Sequence, residues 1–224
     1  FTVDAASIPD WYQTIFSFPW FRCYTLNIDD LATAVQRRFV LPRRLATHSA
    51  TTADFGRTSC SDPTQLEVIH LNGTLADLPD HVTFSLSQYA DRVGADQPWF
   101  LQLSSDLMSR PVVFIGTQLE EPQMWKYIEK RLSKGGKSER ELRPQSYLVT
   151  KALNRARKAC LSTFNIELYD ATAFEFTQNI LKPLDGESKI GHEYIGLSVG
   201  SGRDSVRVPD VSELSVEPDR GTEF

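Results

Sequence analysis

The sequence predicts a doubly wound α/β domain in which a mostly parallel sheet is covered by helices in three layers. Three observations carry this. Short apolar runs alternate with stretches of helical periodicity from FRCYTLNIDD (21–30) to TAFEFTQNILK (172–182), the rhythm of βαβ units. One run, PVVFI (111–115), is apolar without alternation, as a strand covered on both faces must be. Several runs end in small or polar residues, and open parallel sheets bind ligands at such carboxyl ends.

Taken in order, FRCYTLNIDD reads as a short buried strand ending in polar residues, with Asp29 or Asp30 capping a helix in LATAVQRRF. Leu31, Val35 and Phe39 share one face of that helix. Residues 41–63 are polar and rich in turn formers, so they read as a loop. LEVIHLNG gives a second strand, and HVTFSL (81–86) a third with Val82, Phe84 and Leu86 at period two. DQPWFLQLSSDLMSR follows as a helix with Pro98 in its first turn. After the 111–116 strand, a helix is expected from Pro122, with Met124, Ile128 and Leu132 in line and Gly135-Gly136 ending it. SYLVT, KALNRARKACL, NIELYD and TAFEFTQNILK complete the pattern as strand, helix, strand, helix, with all the strands expected in one sheet. Beyond about Gly186 the rhythm is lost, and residues 186–224 read as a linker or an extension toward a further domain.

Bulk properties narrow the function classes. A chain of 224 residues with 41% hydrophobic and 24% charged residues suits one sizeable globular domain. A net charge of −5 argues against direct nucleic-acid binding, and the Lys- and Arg-rich stretch 126–158 reads as a solvated helical face. No stretch reaches the roughly 18 apolar residues of a membrane span, and the three scattered cysteines read as reduced thiols, so a cytoplasmic location is expected. Cys23, Cys60 and Cys160 are too scattered for a disulfide framework or a zinc site, and no other ligand cluster has metal spacing.

Three strand ends, in this order, resemble the sirtuin-like family of NAD-binding proteins. YTLNIDD is similar to the family's Thr-Gln-Asn-Ile-Asp segment, with Thr25, Asn27, Ile28 and Asp29 matching. HLNGTL is similar to its His-Gly segment, with Gly73 matching and Asn72 standing at the histidine position. FIGTQLEEP is similar to its Gly-Thr-Ser-Leu strand end through Gly116, Thr117 and Leu119. The span between these segments is most similar to sirtuin-like proteins of bacterial antiphage defence that hydrolyse NAD. The resemblance implies a Rossmann-like domain over residues 1–185, lacking at its N-terminus the family's Gly-Ala-Gly phosphate-binding turn. It also implies NAD as substrate, no zinc, a homo-oligomer, and an additional domain or partner subunit of a defence complex.

The resemblance places Thr25, Asn27, Asp29, Gly73, Gly116 and Thr117 at the NAD, with Asn27, Asp29, Asn72 and His70 as the candidate catalytic set. An Asn amide can bind nicotinamide or position a water, and an Asp can hold that Asn. Asn27 and Asp29 are equally able to cap the following helix. A neutral Asn72 takes up no proton, so base catalysis from its position is lost. His70 stands two residues earlier on the same strand face, about 6.5–7 Å away, and either substitutes for the base or packs inward. Three functions follow: an NAD-hydrolysing effector, an inactive binding or oligomerisation module, or an NAD-dependent protein deacylase. The last ordinarily carries two Cys pairs after the His-Gly segment, whereas residues 74–159 hold no Cys.

Overall fold

The computed structural model describes residues 2–51, 62–78, 82–83, 85, 87–88, 98–119, 124–125, 128, 144–151 and 153–184. Helix α1 (Trp11–Ser17) leads into strand β1 (Cys23–Thr25) and helix α2 (Leu31–Arg38). Asp29 starts α2 by accepting the Leu31 N–H through Oδ1 at 3.2 Å, while Asp30 accepts the N–H of Val3 at 2.7 Å. The helix buries Ala32, Ala34 and Val35 and closes on Arg37 and Arg38, cations suited to the negative end of its dipole. Strands β2 (Arg44–Ser49) and β3 (Gln65–His70) follow, then helix α3 (Pro98–Ser109) and strand β4 (Val113–Ile115). Strand β5 (Ser146–Val149), helix α4 (Arg155–Thr163), strand β6 (Ile166–Tyr169) and helix α5 (Ala173–Phe176) end the series. From Thr177 to Leu181 the chain widens into a π turn, where the buried Thr177 hydroxyl donates to the Ala173 carbonyl at 2.7 Å.

All pairings are parallel: β1-β3-β2 in one sheet and β4-β5-β6 in another. The central β3 is buried from Leu66 to His70, whereas its neighbour β2 buries only Leu45 and Ser49, as an edge strand does. One apolar cluster lies against both sheets, joining Tyr24, Leu26, Ile69 and Leu71 to Phe114, Leu148 and Ile166 beneath Trp99, Phe100, Leu103 and Leu107 of α3. A second cluster holds α2 against Leu45, Leu66 and Val68, and a third holds Val113, Ile115 and Val149 against α5. Trp20 packs into both of these and so ties the two sheets together from the opposite side. The three-layer α/β class predicted from the sequence is the one observed.

Four details differ from expectation. The strands form two three-stranded sheets, not one. The Thr25 carbonyl accepts from Leu71 and the Val112 carbonyl from Tyr147, which fixes the phase of each ladder. The N–H and C=O of Tyr24 therefore point away from β3, and those of Val113 and Ile115 away from β5. These inner edges of β1 and β4 are unpaired among the described residues. An apolar pattern identifies strands but not their edge partners, which is why the sequence pattern suggested a single sheet.

The segment read as loop 41–63 contains β2, whose few apolar residues, chiefly Leu45, suffice because its six residues all pair with the buried β3. Helix α4 starts at Arg155, not Lys151, because Asn154 caps it by accepting the Arg157 N–H at 2.9 Å. In HVTFSL the described residues Val82 and Thr83 are buried without strand pairing, and Phe84 and Leu86 lie outside the described residues. Of the helix expected from Pro122, Met124, Trp125 and Ile128 are helical and the remainder lies outside the described residues, as does the segment 186–224.

Candidate functional site

The carboxyl ends of β1 and β3 are neighbours because Thr25 and His70 are register partners. Beyond β1 the chain bends, and the Thr25 hydroxyl accepts the Asn27 N–H at 3.0 Å. That turn exposes Asn27, whose side-chain amide makes no hydrogen bond to the described residues. Two side chains at the end of β3 fasten the turn from below. His70 Nδ1 meets the Asn27 carbonyl at 2.9 Å, and Asn72 Nδ2 donates to the Leu26 carbonyl at 2.8 Å. Both residues are only 4% exposed.

Since a carbonyl only accepts, the His70 contact places a proton on Nδ1 and leaves the lone pair of the neutral ring on Nε2. Asn72, where the resemblance expects a base, is an amide engaged with main chain. Gly73 turns the chain with φ of 94°, a conformation that favours glycine. Thr74 and Asp77 then form a reciprocal cap, with Asp77 Oδ2 accepting the Thr74 N–H at 2.7 Å. Burial raises the Asp77 carboxyl, but hydrogen bonds from Ser49, from the Thr74 N–H and hydroxyl, and from Thr51 outweigh it, holding the group below the usual carboxylate range. The ends of β2 and β3 are thus joined through one carboxylate.

Gly116 and Thr117 lie at the end of β4. Gly116 has φ of 73°, and a Cβ there would meet nothing within 4 Å, so its main chain borders open space. The Thr117 hydroxyl accepts the Leu119 N–H at 2.9 Å, and Leu119 itself takes a positive φ of 53° while its carbonyl receives the Trp125 indole N–H. The structure therefore brings together Thr25, Asn27, His70 and Asn72. It places Gly116 and Thr117 on the second sheet, linked to the first group through the shared core of Leu26, Leu71 and Phe114. Of the predicted polar side chains, Thr25, Asp29 and Thr117 shape local turns, and Asn27 is the one presented outward.

Sequence reasoning missed a buried charged group behind this site. Arg22 bonds Glu67 Oε2 through Nε at 2.8 Å and Asp106 Oδ2 through Nη1 at 2.7 Å, with its side chain 1% exposed. The Tyr24 hydroxyl donates to Asp106 at 2.6 Å, and Gln102 donates to the other carboxylate oxygen at 2.9 Å. Burial opposes the Arg22 charge, but Tyr24, Glu67 and Asp106 more than offset that and raise its pKa. A charged residue inside the apolar run LEVIH was the available signal, because a buried carboxylate calls for a cation.

Among the described residues, no group of three or more His, Cys, Asp or Glu side chains gathers to hold a metal, and no helix is long and apolar enough to cross a membrane. No curated protein matches the chain. The family model of the SIR2-like domain matches residues 22–169 of the 224, a span that runs from Arg22 to the end of β6. With the three strand ends and the all-parallel pairing, that match makes this chain a member of the SIR2-like domain family.

Proposed function

We propose that this SIR2-like domain hydrolyses NAD to nicotinamide and ADP-ribose as the effector domain of a bacterial antiphage defence protein. In this reading it works in the cytoplasm as a homo-oligomer, spans residues 1–185, and joins a further domain or partner subunit through residues 186–224. No metal takes part. The supporting observation is the Asn27 amide, held outward on a turn that two buried side chains fasten. Asn27 binds the nicotinamide carboxamide or orients the attacking water, and Gly116 lets main chain approach a ribose. Thr25, Asp29, Gly73 and Thr117 shape the turns that carry these contacts.

The bond that breaks joins C1′ of the ribose to the nicotinamide nitrogen, whose ring takes the electron pair. Water oxygen bonds to C1′ and its proton passes to solvent. The transition state resembles an oxocarbenium ion, so orientation and fixed dipoles contribute more than a strong base. With Nδ1 engaged by the Asn27 carbonyl, His70 can offer a lone pair only through Nε2, and Asn72 supplies none. The buried Asn72 favours one alternative, a binding or oligomerisation module without turnover. Protein deacylation has the least support.

NAD loss and nicotinamide release by the intact protein, with its trigger present, test the proposal. Asn27→Ala should lower turnover by about 10²–10³, the usual cost of one preorganised polar contact. Tight NAD binding without any release of nicotinamide would support the inactive module instead.

A further inference from the structure

The residue at the expected base position and the histidine two residues before it share a different geometry. Asn72 and His70 lie two positions apart at the end of β3, and each places a nitrogen against one of two consecutive carbonyls, those of Leu26 and Asn27. The contacts are 2.8 and 2.9 Å, and both side chains are 4% exposed, where water competes little for the carbonyls. A third bond, from the Asn27 N–H to Thr25, completes the fastening of the peptide units on either side of Asn27.

We infer that Asn72 is a positioning residue acting through Asn27: its amide fixes the Leu26 peptide and so aims the exposed Asn27 side chain, with His70 as the second fastener. This rests on the proposed role of Asn27 in NAD hydrolysis. It explains why a neutral amide stands where a base would be expected. An imidazole in place of Asn72 can offer Nδ1 to the same carbonyl, but its larger ring has to fit a site only 4% exposed and pushes on the turn, so Asn72→His lowers turnover.

The test is a double-mutant cycle on NAD release with Asn27→Ala, Asn72→Ala and the pair, alongside the ¹⁵N order parameter of the Asn27 amide. Asn72→Ala should lower kcat by about 10²-fold with little change in KM. The pair should be no worse than Asn27→Ala alone, because a residue acting through Asn27 has nothing left to position. Asn72→Asp keeps the shape and removes the donor. It should be impaired at neutral pH and recover as acidification restores an O–H donor, which a purely space-filling role would not show. The order parameter of Asn27 should fall from about 0.85 toward 0.6 in Asn72→Ala, with global unfolding monitored separately.

Additive losses, or higher turnover in Asn72→His, would overturn the inference. If the wild-type protein leaves NAD intact, the functional reading fails, and the order parameter decides the positioning claim by itself: an unchanged Asn27 amide in both Asn72→Ala and Asn72→Asp overturns it.

Discussion

Arg22 and Asp106, 84 residues apart in the chain, meet at 2.7 Å with the arginine side chain 1% exposed. The contact joins the residue preceding β1 to α3, and Glu67 on β3 completes it. Breaking such a group leaves charges stranded without water. Arg22→Met should therefore destabilise the fold by about 3–5 kcal/mol, read as a lower midpoint in urea. Replacing Arg22, Glu67 and Asp106 together by apolar residues of similar volume should recover much of that loss.

The two described cysteines should differ in reactivity. Burial pushes the Cys23 thiol up to about 12, with the Arg43 guanidinium opposing it, whereas Cys160 is exposed. At neutral pH only the thiolate attacks alkylating agents. Mass spectrometry after brief iodoacetamide treatment should find Cys160 modified and Cys23 intact, and both modified in denaturant.

Asp77 predicts an acid-sensitive joint between β2 and β3. Its carboxyl is held below the usual range, so its contribution is present above the ordinary aspartate pKa of about 4 and is lost as pH falls through the lower folded value. Asp77→Asn should be less stable than wild type at neutral pH. The difference between the two urea midpoints should close on acidification below that range.

Gly116→Ala separates strain from crowding. The added methyl meets nothing within 4 Å, so the cost is that of φ of 73° alone, about 1–2 kcal/mol. Thermal denaturation should show that modest loss with the fold retained.

The layered α/β class, the segment order and the strand ends were legible in the sequence because apolar period and turn chemistry are local properties. The strand within PVVFI, which buries Phe114, and the capped helix after Asp29 are examples. Strand β2 was not legible, since RLATHS owes its place to pairing with β3 and to the Gln36 side chain accepting the Leu45 N–H at 2.7 Å. The site was legible only in its residue types. That Asn27 is presented while Asn72 and His70 hold its turn depends on contacts across 46 and 43 residues, which no local pattern encodes. The Arg22 group was hidden for the same reason.

The main-chain groups of Tyr24 on one sheet and of Val113 and Ile115 on the other, unpaired among the described residues, have a practical consequence. Strand rims left unpaired among the described residues are, before the layers close over them, templates on which another chain can crystallise its own backbone, the first step toward cross-β growth. The folding of this polypeptide is then a race between closing its own layers and recruiting a neighbour, and dilution favours the first outcome.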